Sequence, residues 1–168
     1  MASYRPKRTE VTMSKSLRRV QSALEAAGLA ALIRETDDSA RTAEGAAAAV
    51  GCAVDQIAKS IIFRGEESGH VVLFLTAGGN RVDPAKATGV AGQRLGKADA
   101  DLIRAETGFA IGGVAPVGHL RPIEAWLDPR LLEFDTVWAA AGTPRHVFAI
   151  APSDLIRITG ARQADFTA

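Results

Sequence analysis

Two apolar, β-branched runs separated by a short polar loop constrain this chain more than any other feature. Ser60 to Arg64 and His70 to Thr76 flank the five residues Gly65-Glu66-Glu67-Ser68-Gly69. That spacing predicts a β-hairpin. The run Val71 to Ala77 is the longest apolar stretch and suits a buried strand. It falls well short of the ~18 apolar residues that span a bilayer, so no membrane segment is expected. The chain has 168 residues, which fits one domain of about 100–200 residues. Such a chain buries roughly 70% of the surface it exposes when unfolded. It needs neither disulfides nor metals to hold a fold.

Helical signals surround the hairpin. Leu17, Val20, Leu24 and Ala27 recur at helical spacing before Gly28, which predicts a helix over 16–27. Leu29 to Arg34 reads as a short strand and Asp37 to Arg41 as a turn. Thr42 is placed to cap an Ala-rich helix that ends at Gly51. Asp55 to Ala58 suits one helical turn. Asp83-Pro84 looks like a cap followed by proline at the first helical position. Asp99 to Thr107 predicts a helix stopped by Gly108, and Phe109 to Ile111 a short strand. Further strands are expected at Ile123–Leu127, Thr136–Ala141 and His146–Ile150, with a turn over 142–145. Ser153 is the expected cap of a last helix, and Arg162 to Ala168 is expected to fray. Helices and hairpins mix without regular β–α alternation. This favours an α+β fold with a mixed sheet over a doubly wound one. The expected layout is a flexible tail over 1–15, one domain over 16–162 and a C-terminal tail over 163–168.

Charge narrows the function classes. Lys plus Arg number 20 and Asp plus Glu 19, for a net charge of +1. That argues against a strongly basic, nonspecific nucleic-acid binder. It leaves open a protein that grips one end of a nucleic acid through a local patch. Only five of the 20 cations are lysines, so a lysine inside an apolar segment stands out. The lone Cys52 forbids an internal disulfide and reads as a packed thiol. The polar N-terminus carries Arg5, Lys7, Arg8 and Lys15 and lacks the apolar core of a signal peptide. A cytoplasmic protein with a basic tail, solvated or touching RNA, is the expectation.

Several common chemistries fail on spacing. Gly92 to Ala98 has three residues between its glycines and no Ser or Thr after Lys97, so it is not a phosphate loop. Gly65 to Gly69 is not a G-x-S-x-G elbow. His70, His119 and His146 lie far apart without metal-ligand spacing.

Three segments carry a signal. In Gln56-Ile57-Ala58-Lys59-Ser60-Ile61-Ile62-Phe63, Lys59 stands at the entrance to an apolar strand. The plainer reading lets it snorkel to water. The sharper one holds an ammonium at a pocket wall, aimed at a phosphate or ester oxygen. In Thr76 to Asp83 a strand ends in Gly78-Gly79, and Asn80, Arg81 and Asp83 lead to a helix start. Arg81 and Asp83 either pair in an ordinary connection or line a site. Thr107 to His119 packs Gly108, Gly112, Gly113, Gly118 and Pro116 among small apolar residues. Glycines admit close approach to the backbone, and such a loop can aim N–H donors at a carbonyl or oxyanion.

In order and spacing these segments resemble the YbaK/ProX family of aminoacyl-tRNA editing proteins, which includes the editing domain inserted in bacterial prolyl-tRNA synthetases. The resemblance runs from about Thr42 to Ile158. It is carried by Ile57 to Ser60, Asn80 to Asp83, the G-x-x-x-P loop Gly112 to Pro116 with Gly118-His119, and Trp138 to Pro144. It implies a central mixed, curved sheet flanked by helices. It implies hydrolysis of the ester joining a wrong small amino acid to tRNA, foremost tRNA for proline, by a freestanding domain acting in trans. The acceptor end of the mischarged tRNA is the implied partner, with prolyl-tRNA synthetase as a further one.

By the same resemblance Lys59 is the essential lysine, holding the terminal nucleotide or the aminoacyl group. Gly112, Gly113, Val114, Ala115 and Pro116 form the substrate loop. Ser60, Asn80, Arg81, Asp83, Gly118 and His119 are candidate pocket-wall residues. Water is the expected attacking group, with the substrate's ribose hydroxyl or a cysteinyl thiol as other routes. No metal or cofactor is expected. Alanine, cysteine, serine, threonine and 2-aminobutyrate all stay open as the edited residue, and both monomer and homodimer stay open as the assembly. A non-catalytic module binding aminoacyl-tRNA or a nucleotide, and a hydrolase of small esters unrelated to tRNA, are the competing readings.

Overall fold

The computed structural model describes residues 14–168. The expected tail therefore lies outside the described residues up to position 13, but Ser14 and Lys15 belong to the fold. Ser14 accepts a hydrogen bond from Leu17 N and caps helix α1, Lys15–Ala26. Leu17, Val20 and Leu24 are its buried stripe.

The expected hairpin forms as β2, Ile57–Gly65, and β3, Val71–Ala77, paired antiparallel. Their pairing organises an eight-stranded mixed sheet. The other strands are β1 (Ile33–Glu35), β4 (Leu95–Lys97), β5 (Glu124–Leu127), β6 (Val137–Ala140), β7 (His146–Ile150) and β8 (Arg162–Gln163). The order is β1-β7-β6-β2-β3-β5-β8, with β4 also on β2. The remaining helices are α2 (Ala43–Val50), α3 (Pro84–Ala91), α4 (Ala100–Thr107) and α5 (Pro152–Thr159).

Alternation along β3 explains why helices lie on both sides. Val71, Leu73, Leu75 and Ala77 share one core with Leu17 and Leu24 of α1, Ile103 of α4 and Leu155 of α5. Val72 and Phe74 face the other way, onto Ala87 of α3, Trp126 and Phe166. Ala46 and Ala47 of α2 pack there on Ile57. A strand apolar on both faces is covered on both faces.

Thr42, Asp83 and Asp99 cap α2, α3 and α4 through their side chains. Three expectations fail, and one stretch that had been given no element forms a strand. Phe109 to Ile111 forms no strand; Phe109 is instead a fully buried plug beside Thr107. Ser153 does not cap α5, because Pro152 already opens that helix and Ala151 takes the cap position. The stretch Leu95 to Lys97, set aside as a failed phosphate loop, is strand β4, and Gln93 Oε1 accepts from Glu67 N and Ser68 N to pin the hairpin turn. The C-terminus does not fray. Arg162–Gln163 pairs with β5, Thr167 bridges Val82, and Phe166 is fully buried against Phe74.

One irregularity of the sheet positions the site. β2 pairs with β6 only at Ile57 and Ala58, and with β4 only from Phe63 to Gly65. Between them, from Lys59 to Ile62, that edge of β2 has no partner strand. The sheet forks at Lys59.

Candidate functional site

A cavity of about 230 Å³ fills the fork. Its walls come from Lys59 and Ser60 of β2, Gly112 and Val114 of the glycine loop, Trp138 to Ala140 of β6, and Thr143 and His146. Residues 70 or more positions apart in sequence thus meet where two strands part.

Lys59 Nζ donates to Asn80 O at 2.6 Å. The side chain is half-buried, and this burial lowers its pKa below the ordinary 10.5. Glu44, Asp128 and Asp55 oppose the shift, while Arg81 adds to it. The ammonium therefore keeps neighbouring carboxylates without being neutralised by a direct ion pair.

The turn carrying Asn80 is built to fixed tolerances. A Cβ on Gly78 would lie 2.1 Å from Val54 O, and one on Gly79 2.5 Å from Asp55 Oδ1. Only a glycine pair allows that approach. Asp55 accepts from Gly79 N at 2.8 Å and from Arg130 Nε at 2.9 Å, and the Arg130 bond holds its carboxyl below the usual range. Asp128, buried, accepts from Ala77 N and from Asn80 Nδ2 at 2.9 Å. Asp128 thus fixes the turn whose carbonyl holds Lys59. Sequence reading passed over it because an isolated aspartate before a proline looks like a helix cap, a duty it also performs toward Arg130 N.

The glycine loop is locked from two sides. A Cβ on Gly113 would sit 2.7 Å from Thr143 Cα, so the loop backbone lies directly on the turn before β7. Gly112 has φ +94°, and Gly113 N donates to Ala110 O. The N–H groups of Gly112 and Val114 have no acceptor among the described residues. On the other side, Arg19 of α1 donates to Gly108 O and lies 5.1 Å over the Phe109 ring.

The remaining candidates are spread more widely. Asp83 caps α3 through Ala85 N and Lys86 N, and Arg81 is exposed, its carbonyl accepting from Ala168 N. No ion pair joins Arg81 to Asp83 among the described residues. Ala115 is buried in the core. Pro116, Gly118 and His119 line a separate cleft of about 680 Å³ near the end of α1. His119 Nε2 is 2.7 Å from Ala115 O, and burial lowers its pKa. The cations of that larger cleft are engaged: Arg121 with Glu106, and Arg157 with Asp154 and Ala27 O.

His146, passed over as an isolated histidine, does line the fork. Thr143 Oγ1 lies 2.7 Å from its Nδ1 and accepts from Arg145 N. The hydroxyl thus joins the His146 ring to the turn over 142–145. Burial lowers the pKa of His146, against the pull of Glu35, and so favours the uncharged ring. Only the fold brings it beside Lys59, and no short motif marks it.

The fork thus brings Lys59, His146, Thr143 and the backbone of the glycine loop to one cavity. Comparison with known proteins gives the family. The aminoacyl-tRNA editing domain model matches residues 37–158, and the chain belongs to that YbaK/ProX-type family. It is 33% identical over 123 residues to the uncharacterized protein YwhH of Bacillus subtilis (strain 168), covering 73% of this chain and 78% of YwhH. A solved structure whose description proposes a trans-editing enzyme for prolyl-tRNA synthetase is 49% identical, with TM-score 0.86, covering 94% of this chain and 99% of the other. The hypothetical protein APE2540 is 27% identical, with TM-score 0.80, covering 89% and 99%. The fold is that of the trans-editing structure, and the role is aminoacyl-tRNA editing, with tRNA as the interacting molecule. No described helix is long and apolar enough to cross a membrane.

Proposed function

We propose that the chain is a trans-editing deacylase that hydrolyses the ester of a small, wrong amino acid on tRNA for proline. The observation that carries this reading is the half-buried Lys59, its ammonium held on Asn80 O, sharing the lining of the fork with Gly112 and Val114. A synthetase pocket gains only about 1–3 kcal/mol per methylene, so it cannot fully reject smaller analogues of proline. A second site that is too small for proline removes them. In this reading the fork is that second site, and its walls at Gly112, Val114, Trp138, Thr143 and His146 would set which side chains enter.

In this reading Lys59 holds the terminal nucleotide or the acyl group electrostatically and is not a nucleophile. Gly112 and Val114 N–H groups receive the charge that develops on the carbonyl oxygen as water adds. The tetrahedral species then expels the ribose oxygen, which takes up the proton given up by the attacking water, leaving free amino acid and intact tRNA. The His146 ring and the Thr143 hydroxyl orient the substrate. Asn80 and Asp128 act through Lys59. The 49% identity to the structure described for prolyl-tRNA synthetase supports the choice of tRNA.

The test is release of alanine, cysteine, serine, threonine and 2-aminobutyrate from tRNA for proline, beside a short aminoacyl ester. Turnover of at least one charged tRNA, well above that of the ester, is expected. Retention of every aminoacyl-tRNA uncleaved would instead make the chain a binding module. Equal cleavage of the short ester would make it a general esterase.

A further inference from the structure

We infer that the backbone of Ser60 reads the 3′-terminal adenine of the tRNA, in an apolar groove that continues the fork; this rests on the deacylase reading above. The starting observation is the open edge of β2. Gly65 N–H donates to His70 O at the hairpin turn. Antiparallel ladders alternate, so Phe63, Ile61 and Lys59 direct their backbone groups at β3. Ser60 directs its N–H and C=O the other way. The parallel pairing to β6 ends at Ala58, and the pairing to β4 begins at Phe63. Ser60 stands in the middle of the gap.

The ladder to β6 stops at Ala58 and that to β4 starts at Phe63, so neither strand supplies a partner for the outward N–H and C=O of Ser60. Its hydroxyl is the one buried side-chain polar atom there without a hydrogen bond. Three polar groups of one residue are thus left unmet, and the hydroxyl among them is buried, where polar groups are ordinarily satisfied.

Ser60 also joins two spaces. On one side is the fork. On the other is a groove of about 480 Å³, and Ser60, Ile61, Gly112 and Val114 line both. Four consecutive residues, Ser60 to Phe63, line this groove. A strand face would present alternate residues, so the groove follows the strand's edge. Its other walls are apolar, with Leu95, Ile103 and Ile111, and Lys97 is exposed at its rim. Ile111 is 60% exposed, an uncovered apolar side chain on the lip of a groove.

The chemistry of these walls selects the occupant. A flat base inserts between apolar side chains and is read along its Watson–Crick edge. One residue offering N–H and C=O on the same side matches adenine: the N–H donates to N1, and the C=O accepts from the N6 amine. Every tRNA ends in adenosine, and its ribose carries the ester. With the base in the groove and the acyl group in the fork, the ribose spans Ser60 and Gly112. Lys97 then lies where it can meet a backbone phosphate.

Hypoxanthine reverses the pattern, with N1–H as donor and O6 as acceptor, and so provides the test. Alanyl minihelices of tRNA for proline ending in adenosine or in inosine are compared by kcat/KM. The ¹⁵N-labelled protein is titrated with 3′-alanylamino-3′-deoxyadenosine and with its inosine counterpart. The inosine-ended RNA is expected to be cleaved at least about tenfold more slowly, as for loss of a bidentate base contact. The Ser60 amide is expected to shift with the adenosine analogue and not with the inosine one. Rates within twofold of each other overturn the inference. So does a Ser60 amide that stays still, or one that moves equally with both analogues. If neither RNA is cleaved, the deacylase reading fails, and the amide shift alone decides for or against the base site.

Discussion

In the proposed deacylase Lys59 is the residue on which the chemistry turns, and its environment makes a signed prediction. Burial lowers its pKa below 10.5. A lysine shifted down loses its proton at a lower pH than a free one. Activity that depends on the ammonium therefore falls on the alkaline side before pH 10.5, once uncatalysed ester hydrolysis is subtracted. Lys59→Arg, always charged, removes that limb whatever its rate at neutral pH; a limb that persists unchanged in Lys59→Arg belongs to another group. The sequence singled out Lys59 because lysine is scarce and its neighbours are apolar. It could not reveal Asp128 or His146. Their roles depend on Asn80 and Thr143, which meet them only after the sheet has formed.

At the scale of elements, the hairpin and the side-chain caps of α2 and α3 were legible, because each depends on residues close in sequence. The fork was not. It arises where β6, some 80 residues downstream, stops pairing at Ala58. The glycine loop was legible as a loop but not in its packing. Gly113 lies against Thr143, and a single added methyl collides with backbone there. Gly113→Ala should displace the loop and cut kcat about 100-fold, the scale of an ångström-sized misplacement in an active site. Gly89→Ala, where a Cβ meets nothing within 4 Å, should leave kcat unchanged. Full activity in Gly113→Ala would mean that the loop does not position substrate.

Over the whole molecule, the largest departure from the sequence reading is the C-terminus. Six polar and small residues surrounding one phenylalanine read as a tail. Phe166 is nonetheless fully buried, and Asp83 N donates to its carbonyl. The C-terminal segment thereby closes the core beneath α3 and braces the connection that carries Asn80. Phe166→Ala should cost about 3–5 kcal/mol of stability, read from denaturant unfolding, whereas a truly frayed end would lose nothing measurable. The near-neutral net charge also takes on meaning at this scale. A protein that recognises one end of a tRNA through a fork in its sheet does not need a basic surface throughout.

The central claim is that the Lys59 fork deacylates mischarged tRNA. Its most direct test is single-turnover deacylation of alanyl-tRNA for proline by wild type and Lys59→Met, with both thermal midpoints measured. Removing a half-buried charge should leave Lys59→Met at least as stable as wild type, while its rate falls by about 100-fold, the scale of losing one electrostatic group in a catalytic site. A folded Lys59→Met protein that deacylates at the wild-type rate would contradict the account.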